Sequence, residues 1–317
     1  VSVVVLDNYS TGHNILPLSS VTYIEGDILD DDIYDTLPSD ITHVVHLAAA
    51  ISVAESMTEP DKYERINVQG SEKVYKYAQS MPSVKGVISA SSAAIYGDPV
   101  TLPCREVDGY GGISPYADTK WKMELLGRKM AKAGERGETD RDGDRGDPLR
   151  IMFMRPFNVY GPRQDPKSPY TGVISTFMGN ARTGQDLTIF GDGEQTRDFV
   201  FVRDLVRAAL NVLLETSPLP EEGASLLYSP VTEVYNIGTG TRITVNTLAE
   251  TVVEIAGRGA DVTVKHGKPR EGDVIHSVSC VDKLRSRIGW APADRLQEGL
   301  TRTWQWFMED VQGAAEY

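Results

Sequence analysis

The chain has 317 residues, 40% of them hydrophobic and 24% charged, a balance that fits one large or two intimate globular domains and excludes global disorder. Its 32 Lys and Arg against 45 Asp and Glu leave a formal net charge of −13, which argues against a nucleic-acid surface, because phosphates need a basic patch. No apolar run approaches the roughly 20 residues of a membrane span, and two cysteines, Cys104 and Cys280, are too few for a disulfide framework. The five histidines (His13, His43, His46, His266, His276) form no pair at metal-ligand spacing, and no secretory pattern opens the chain, so a metal-free, cytoplasmic protein is expected.

Short β-branched runs ending in small or acidic residues alternate with amphipathic stretches. Residues 2–7, 21–26, 43–48, 85–91 and 150–156 read as strands, and near-continuous apolar character, as in Val3 to Leu6, predicts burial on both faces. Residues 61–80 and 116–132 read as helices between them. Strand–helix alternation of this kind predicts an α/β fold built on a doubly wound parallel sheet. On the second helix Met123, Leu126 and Met130 form an i, i+3, i+7 stripe that either covers the sheet or docks a partner. Residues 134–147 (GERGETDRDGDRGD) hold no apolar side chain and read as a mobile, solvated loop; 217–230, with three prolines, reads as a surface connection.

Two constellations point to chemistry. Asp7 closes the strand VVVLD, where dinucleotide-binding folds place an acid that accepts from the adenosine ribose hydroxyls. By itself, an Asp after a strand is more often a turn or cap residue. Tyr116 and Lys120 lie at i, i+4 on one helix face, with Ser92 upstream at a strand end in SASSAAIYG. A tyrosine that shuttles protons near neutral pH must come down from about 10. A neighbouring ammonium favours phenolate and does this, and a serine hydroxyl can hydrogen-bond the reacting oxygen.

With these stand VVVLDNYSTG, YIEGDILD, VVHLAAAISVAES, NVQG, ASSAAIYG, SPYADTK, RPFNVYGPRQDP, SPYTGVIS, IFGDGEQTRDFVFVRD, VYNIGTG, PREGDV and GWAP. Together they resemble the extended short-chain dehydrogenase/reductase superfamily, in its NAD-dependent epimerase/dehydratase branch of UDP-glucose 4-epimerase type, from Val3 to about Phe307. The resemblance implies a Rossmann-like NAD-binding domain over 1–164 and 198–239. It also implies a smaller α/β nucleotide-sugar domain over 165–197 and 240–317. It gives the adenosine ribose of NAD to Asp7 and Asn8, the adenine to Asp27 and Ile28, and the cofactor backbone to Ala48 and Ala49. Asn67 and Ala90 match further cofactor-side positions, and Phe157 packs beside the nicotinamide. Tyr116 becomes the acid/base, Ser92 its partner on the sugar 4-oxygen, and Lys120 also bonds the nicotinamide ribose. Asn158, Arg197 and Arg270 meet the UDP diphosphate region and Asp273 the uridine ribose. Ser277, small where a tyrosine confines the pocket to plain hexoses, leaves room for an N-acetyl group. A homodimer through the helices 61–80 and 116–132 is implied, with neither nucleic acid nor membrane as partner.

Arginines suit a pyrophosphate in an acidic protein, since they are always charged and donate in pairs. Without the resemblance, the favoured reading is that Arg197 bridges Asp198 or Asp204 on the surface and Arg270 bridges Glu271. The family's Gly-x-x-Gly-x-x-Gly loop and first strand are not among these residues; they are expected ahead of Val1 in a longer parent chain. A nucleotide-sugar 4,6-dehydratase or decarboxylase is the alternative within the superfamily, but Ala93-Ala94-Ile95 offers no carboxylate for the elimination. A nucleotide binder without turnover is a second alternative, favoured only by the missing loop.

Overall fold

A computed structural model describes residues 1–12, 15, 16, 18–135, 149–164, 172–215, 232–259, 261–270 and 274–313. The charged loop expected at 134–147 falls outside these from residue 136 on, and so does the connection 217–230. In chain order the strands and helices are β1 (Val3–Asp7), β2 (Val21–Glu25), β3 (His43–His46), α1 (Val53–Thr58), α2 (Pro60–Tyr63), α3 (Ser71–Ser80), β4 (Gly86–Ala90), α4 (Pro115–Glu135), β5 (Arg150–Pro156) and β6 (Asn158–Tyr160). There follow α5 (Val173–Arg182), β7 (Leu187–Phe190), β8 (Thr196–Arg197), β9 (Phe199–Phe201), α6 (Val202–Leu214), β10 (Thr232–Ile237), β11 (Ile243–Thr244), α7 (Val245–Ala256), β12 (Val264–Gly267), α8 (Asp282–Ile288) and α9 (Leu296–Gly313).

Packing divides the chain into two compact units, one of Val1–Ser91, Ser114–Met154 and Thr216–Val234, the other of Ser92–Ile113, Arg155–Glu215 and Tyr235–Tyr317. This division follows contact density, whereas the division expected from the sequence followed the ligand each part was to hold.

In the first unit β3, β4 and β5 run parallel, with His43 opposite Gly86 and Gly86 opposite Arg150. They belong to a sheet of order β10-β5-β4-β3. β1 and β2 form a separate parallel pair, Val3 opposite Val21, in which Val3 is exposed and Val4 to Leu6 are only half-buried, short of the burial on both faces expected of this run. The unbroken apolar runs of β4 and β5 are buried along nearly their whole length, as parallel strands covered on both faces should be. Tyr75 and Ala78 of α3 and Met123 and Ala131 of α4 close over Val87, Ile151 and Phe153, with Leu126 and Met130 packed against the same cluster. The methionine–leucine stripe therefore covers the sheet.

The helix expected over 61–80 is interrupted. It starts as α2, widens into a π-helical turn over Glu64–Gly70 and resumes as α3. The reason lies in Asn67, whose side chain is buried and faces a neighbouring loop instead of following the helix surface. Nearby, the buried His46 bonds through Nε2 to Ser71 Oγ (2.8 Å). Ser71 itself donates to the Asn67 carbonyl (2.6 Å), so His46 must carry its proton on Nε2. Burial first, and the Lys120 charge second, push its pKa down to about 3, leaving it neutral near pH 7.

The second unit has its own core. Ile174, Phe177 and Met178 of α5, Leu248 and Val252 of α7, and Leu300 and Phe307 of α9 close around Leu187, Ile189, Phe199 and Tyr160. Thr244 caps α7 by accepting from Thr247 N, and Gly257 ends it in the left-handed conformation (φ 63°) that a side chain would disfavour.

The seat of α4 on the sheet depends on Gly127, where an added Cβ would come within 2.6 Å of Phe153 Cζ and 3.2 Å of Ile151 Cγ2. Gly127→Ala is expected to lower stability by about 1–3 kcal/mol despite its better helix propensity, read as a lower urea midpoint. An unchanged midpoint would show that the helix can back away freely.

Candidate functional site

In the first unit, parallel pairing brings the carboxyl ends of β1 and β2 together. Asn8 Nδ2 donates to Asp27 Oδ2 (2.9 Å), while Asp7 Oδ1 accepts from Tyr9 N (2.8 Å) and Asp27 Oδ1 from Leu29 N (2.9 Å). Asp7 and Asn8 are exposed, Asp27 is half-buried, and Ile28 is buried. Ala48 and Ala49 follow β3. Their loop is braced by Asn67, whose amide accepts from Ala50 N (2.8 Å) and donates to Ala50 O (3.0 Å) and to Thr119 Oγ1 (3.1 Å). Thr119 in turn donates to the carbonyl of Tyr116 (2.9 Å).

Tyr116 and Lys120 lie on the buried face of α4, 9% and 3% exposed. The Tyr116 ring stands edge-on to Tyr63, with centroids 6.4 Å apart, and the Lys120 ammonium lies 6.0 Å from the Tyr116 centroid. Lys120 Nζ donates to the carbonyl of Ala90 at the end of β4 (2.8 Å), which leaves two of its three N–H donors without a partner among the described residues. One turn further along the same face, the fully buried Glu124 accepts from Ser91 Oγ (2.6 Å) and contacts Arg128 Nη2 (3.4 Å). Glu124 was not singled out in the sequence, though it continues the i+4 spacing of Tyr116 and Lys120.

The second unit carries the remaining candidates. Ser92 accepts from Ala94 N (3.1 Å) through its hydroxyl oxygen, which leaves its proton available to donate. Phe157 is buried and stacks on Tyr96 at 6.2 Å. Asn158 is exposed at the start of β6. Arg197 Nη1 donates to the carbonyls of Thr196 (3.0 Å) and Ile275 (3.4 Å). Asp204 pairs with Arg207 (2.8 Å), and Asp198 is turned inward and fully buried. The Arg270 guanidinium lies 4.0 Å from the Phe190 ring centroid, its charge exposed. Ser277 N donates to Thr196 O (3.1 Å), placing Ser277 beside β8. Asp273 and Glu271 lie outside the described residues.

Among the described residues, no three His, Cys, Asp or Glu side chains are grouped to hold a metal ion, and no helix is long and apolar enough to cross a membrane. The acid–amide group at the ends of β1 and β2 and the unsatisfied donors of buried Lys120 suit the hydroxyl-rich riboses of a dinucleotide. A glycine-rich cradle for its pyrophosphate is not present in the sequence.

The NAD dependent epimerase/dehydratase family matches residues 1–238. The chain is 30% identical over 317 residues to the UDP-glucose 4-epimerase of Mycolicibacterium smegmatis, an alignment covering 98% of this chain and 92% of that protein. It is similar in structure to the UDP-glucose 4-epimerase of Thermotoga maritima solved with UDP-glucose, with a TM-score of 0.82, 33% identity, and 98% and 92% of the two chains covered. It is likewise similar to the UDP-N-acetylglucosamine 4-epimerase of Methanobrevibacter ruminantium solved with UDP-N-acetylmuramic acid, with a TM-score of 0.83, 29% identity, and 97% and 90% covered.

Burial alone lowers Lys120 from 10.5 to about 8. Between those values the unfolded chain holds a proton that the folded chain has released, so stability rises with pH through that window. Below pH 8 the penalty is present in full. The difference between wild type and Lys120→Met is expected to change by about 3 kcal/mol between pH 8 and 10.5, measured by urea unfolding at each pH. A pH-independent difference would show that Lys120 is not desolvated.

Proposed function

This chain belongs to the NAD dependent epimerase/dehydratase family, and from that membership we propose that it interconverts the C4 epimers of UDP-hexoses, N-acetylated ones included. The observation that carries the reading is the buried face of α4. It sets Tyr116 and Lys120 one turn apart, with the ammonium anchored on Ala90 O and two donors to spare.

Asp7, Asn8, Asp27 and Ile28 would hold the adenosine end of NAD. Ala48, Ala49, Asn67 and Ala90 would border its middle, and Lys120 and Phe157 the nicotinamide end. Bound there, NAD supplies reversible hydride acceptance at sugar C4. Tyr116 takes the proton of the 4-hydroxyl and later returns it. Ser92 donates a hydrogen bond to the same oxygen, where charge develops. Lys120 keeps a positive charge beside the phenol, which favours its ionised form. Asn158, Arg197 and Arg270 hold the diphosphate, with Asp273 on the uridine ribose, so that the 4-keto sugar turns over without escaping. No net redox change occurs, so one cofactor serves repeated turnovers.

Tyr116→Phe is expected to reduce turnover by about 10²–10⁴-fold with little change in UDP affinity. The assay is UDP-galactose to UDP-glucose conversion with NAD, in a chain extended ahead of Val1 by the family's glycine-rich strand and loop. Undiminished turnover would remove Tyr116 from the chemistry, and a product lighter by one water would point to the dehydratase reading.

Substrate breadth follows from Ser277. A small side chain there removes the steric exclusion of a C2 acetamido group, and a structural neighbour named for UDP-N-acetylglucosamine supports that reading. Wild type is expected to accept both UDP-glucose and UDP-N-acetylglucosamine, and Ser277→Tyr to lose the second selectively, measured as the ratio of kcat/KM values. If the tyrosine variant keeps the wild-type ratio, Ser277 is not the gate.

A further inference from the structure

Asp198 is fully buried and sits directly behind Arg197, yet its carboxylate is held by uncharged donors from two distant stretches of chain. Oδ1 accepts from Thr239 N (2.7 Å) and Thr239 Oγ1 (2.6 Å). Oδ2 accepts from Gly240 N (3.0 Å), Ser279 N (3.0 Å) and Ser279 Oγ (2.5 Å). A carboxylate removed from water is tolerated only when its lone pairs are satisfied in this way. Gly238 makes room for it, since a Cβ there would lie 2.6 Å from Asp198 Oδ2 and 2.3 Å from Ser279 Oγ.

What hangs on this carboxylate is the set of residues given above to the diphosphate and the sugar. The main-chain carbonyl of Asp198 accepts from Asn158 N (3.0 Å), which fixes the start of β6. The anchored Ser279 ends a stretch that runs beside β8: Thr196 N donates to Ile275 O (3.0 Å) and Ser277 N to Thr196 O (3.1 Å). Ile275 O is a carbonyl to which the Arg197 guanidinium donates. The path from Asp198 to Ser279, along 275–279 to Ile275 O and onto Arg197, consists of hydrogen bonds and one short extended segment.

We propose that Asp198 is the positioning residue of the nucleotide-diphosphate clamp, holding Asn158, Arg197 and Ser277 in one arrangement before the ligand arrives. The proposal rests on the reading that Arg197 and Asn158 meet the diphosphate of a UDP-sugar. A clamp organised in advance avoids the loss of side-chain and loop freedom on binding, so loosening its anchor weakens affinity without removing any group that touches ligand. Asp198 would thus act on binding of the nucleotide and leave the proton transfer at Tyr116 unchanged.

The test is calorimetric titration of the chain with UDP alone. Replacing Asp198 itself risks unfolding, so the variants are Thr239→Val, which deletes one donor at nearly constant volume, and Thr239→Ser, which keeps it. Thr239→Val is expected to raise the UDP Kd about tenfold, and Thr239→Ser to stay within about twofold of wild type. Because the effect passes through Arg197, the Thr239→Val loss should shrink to under about twofold in an Arg197→Ala background, a coupling that general loosening would not produce. Wild type that binds UDP while Thr239→Val binds it equally well, or full additivity with Arg197→Ala, overturns the positioning role alone. Wild type that gives no binding heat with UDP overturns the diphosphate reading of Arg197 and Asn158, and this proposal with it.

Discussion

Two side-chain hydrogen bonds between α4 and the end of β4, one helical turn apart, seat the face of α4 that carries Tyr116 and Lys120. Lys120 donates to the carbonyl of Ala90, and Glu124 accepts a hydrogen bond from the Ser91 hydroxyl. Apolar packing of a helix on a sheet permits small shifts along and about the helix axis, because dispersion contacts are weakly directional. Hydrogen bonds from buried charges tolerate far less, since each ångström of misfit leaves a charge unsolvated. The apolar face of α4 therefore supplies the attraction and the charged pair supplies the register. Gly127 lets both operate by allowing the helix close to β5. Tyr116 inherits its place from this arrangement, and Asn67 adds a third restraint through Thr119.

The two units solve the problem of a buried carboxylate differently. Glu124 is partnered by a hydroxyl and by an arginine on its own helix, a local solution that fixes helix against strand. Asp198 gathers amide and hydroxyl donors from positions 239, 240 and 279, and so organises irregular backbone where no regular ladder could. In each case the structural group is adjacent to one assigned to chemistry: Glu124 is a turn from Lys120, and Asp198 is one residue from Arg197. Rigid charged anchors beside functional side chains are what a site needs if it is to meet its ligand without rearrangement.

GVISA and RIMFMRP were legible because parallel strands covered on both faces leave apolar runs; VVVLD shows the same run, which locates the strand but not its burial, since Val3 is exposed and Val4 to Leu6 are half-buried. Tyr116 and Lys120 were legible because i+4 spacing survives as a pattern in one dimension. The π-helical turn at Glu64–Gly70 was not, since it arises from what Asn67 touches at Ala50, a contact between segments that no local propensity encodes. The same holds for Asp198. In sequence it is one acid beside one arginine, which suggests an ion pair on the surface. Only the folded chain shows that its partners are Thr239, Gly240 and Ser279, too far along the chain for any spacing rule to connect. Glu124 lies between these cases, with its position readable and its burial not.

The buried, neutral His46 makes the first unit sensitive to acid. Below about pH 6.5 the unfolded chain takes up a proton that the folded chain refuses, so folding becomes less favourable as the pH falls.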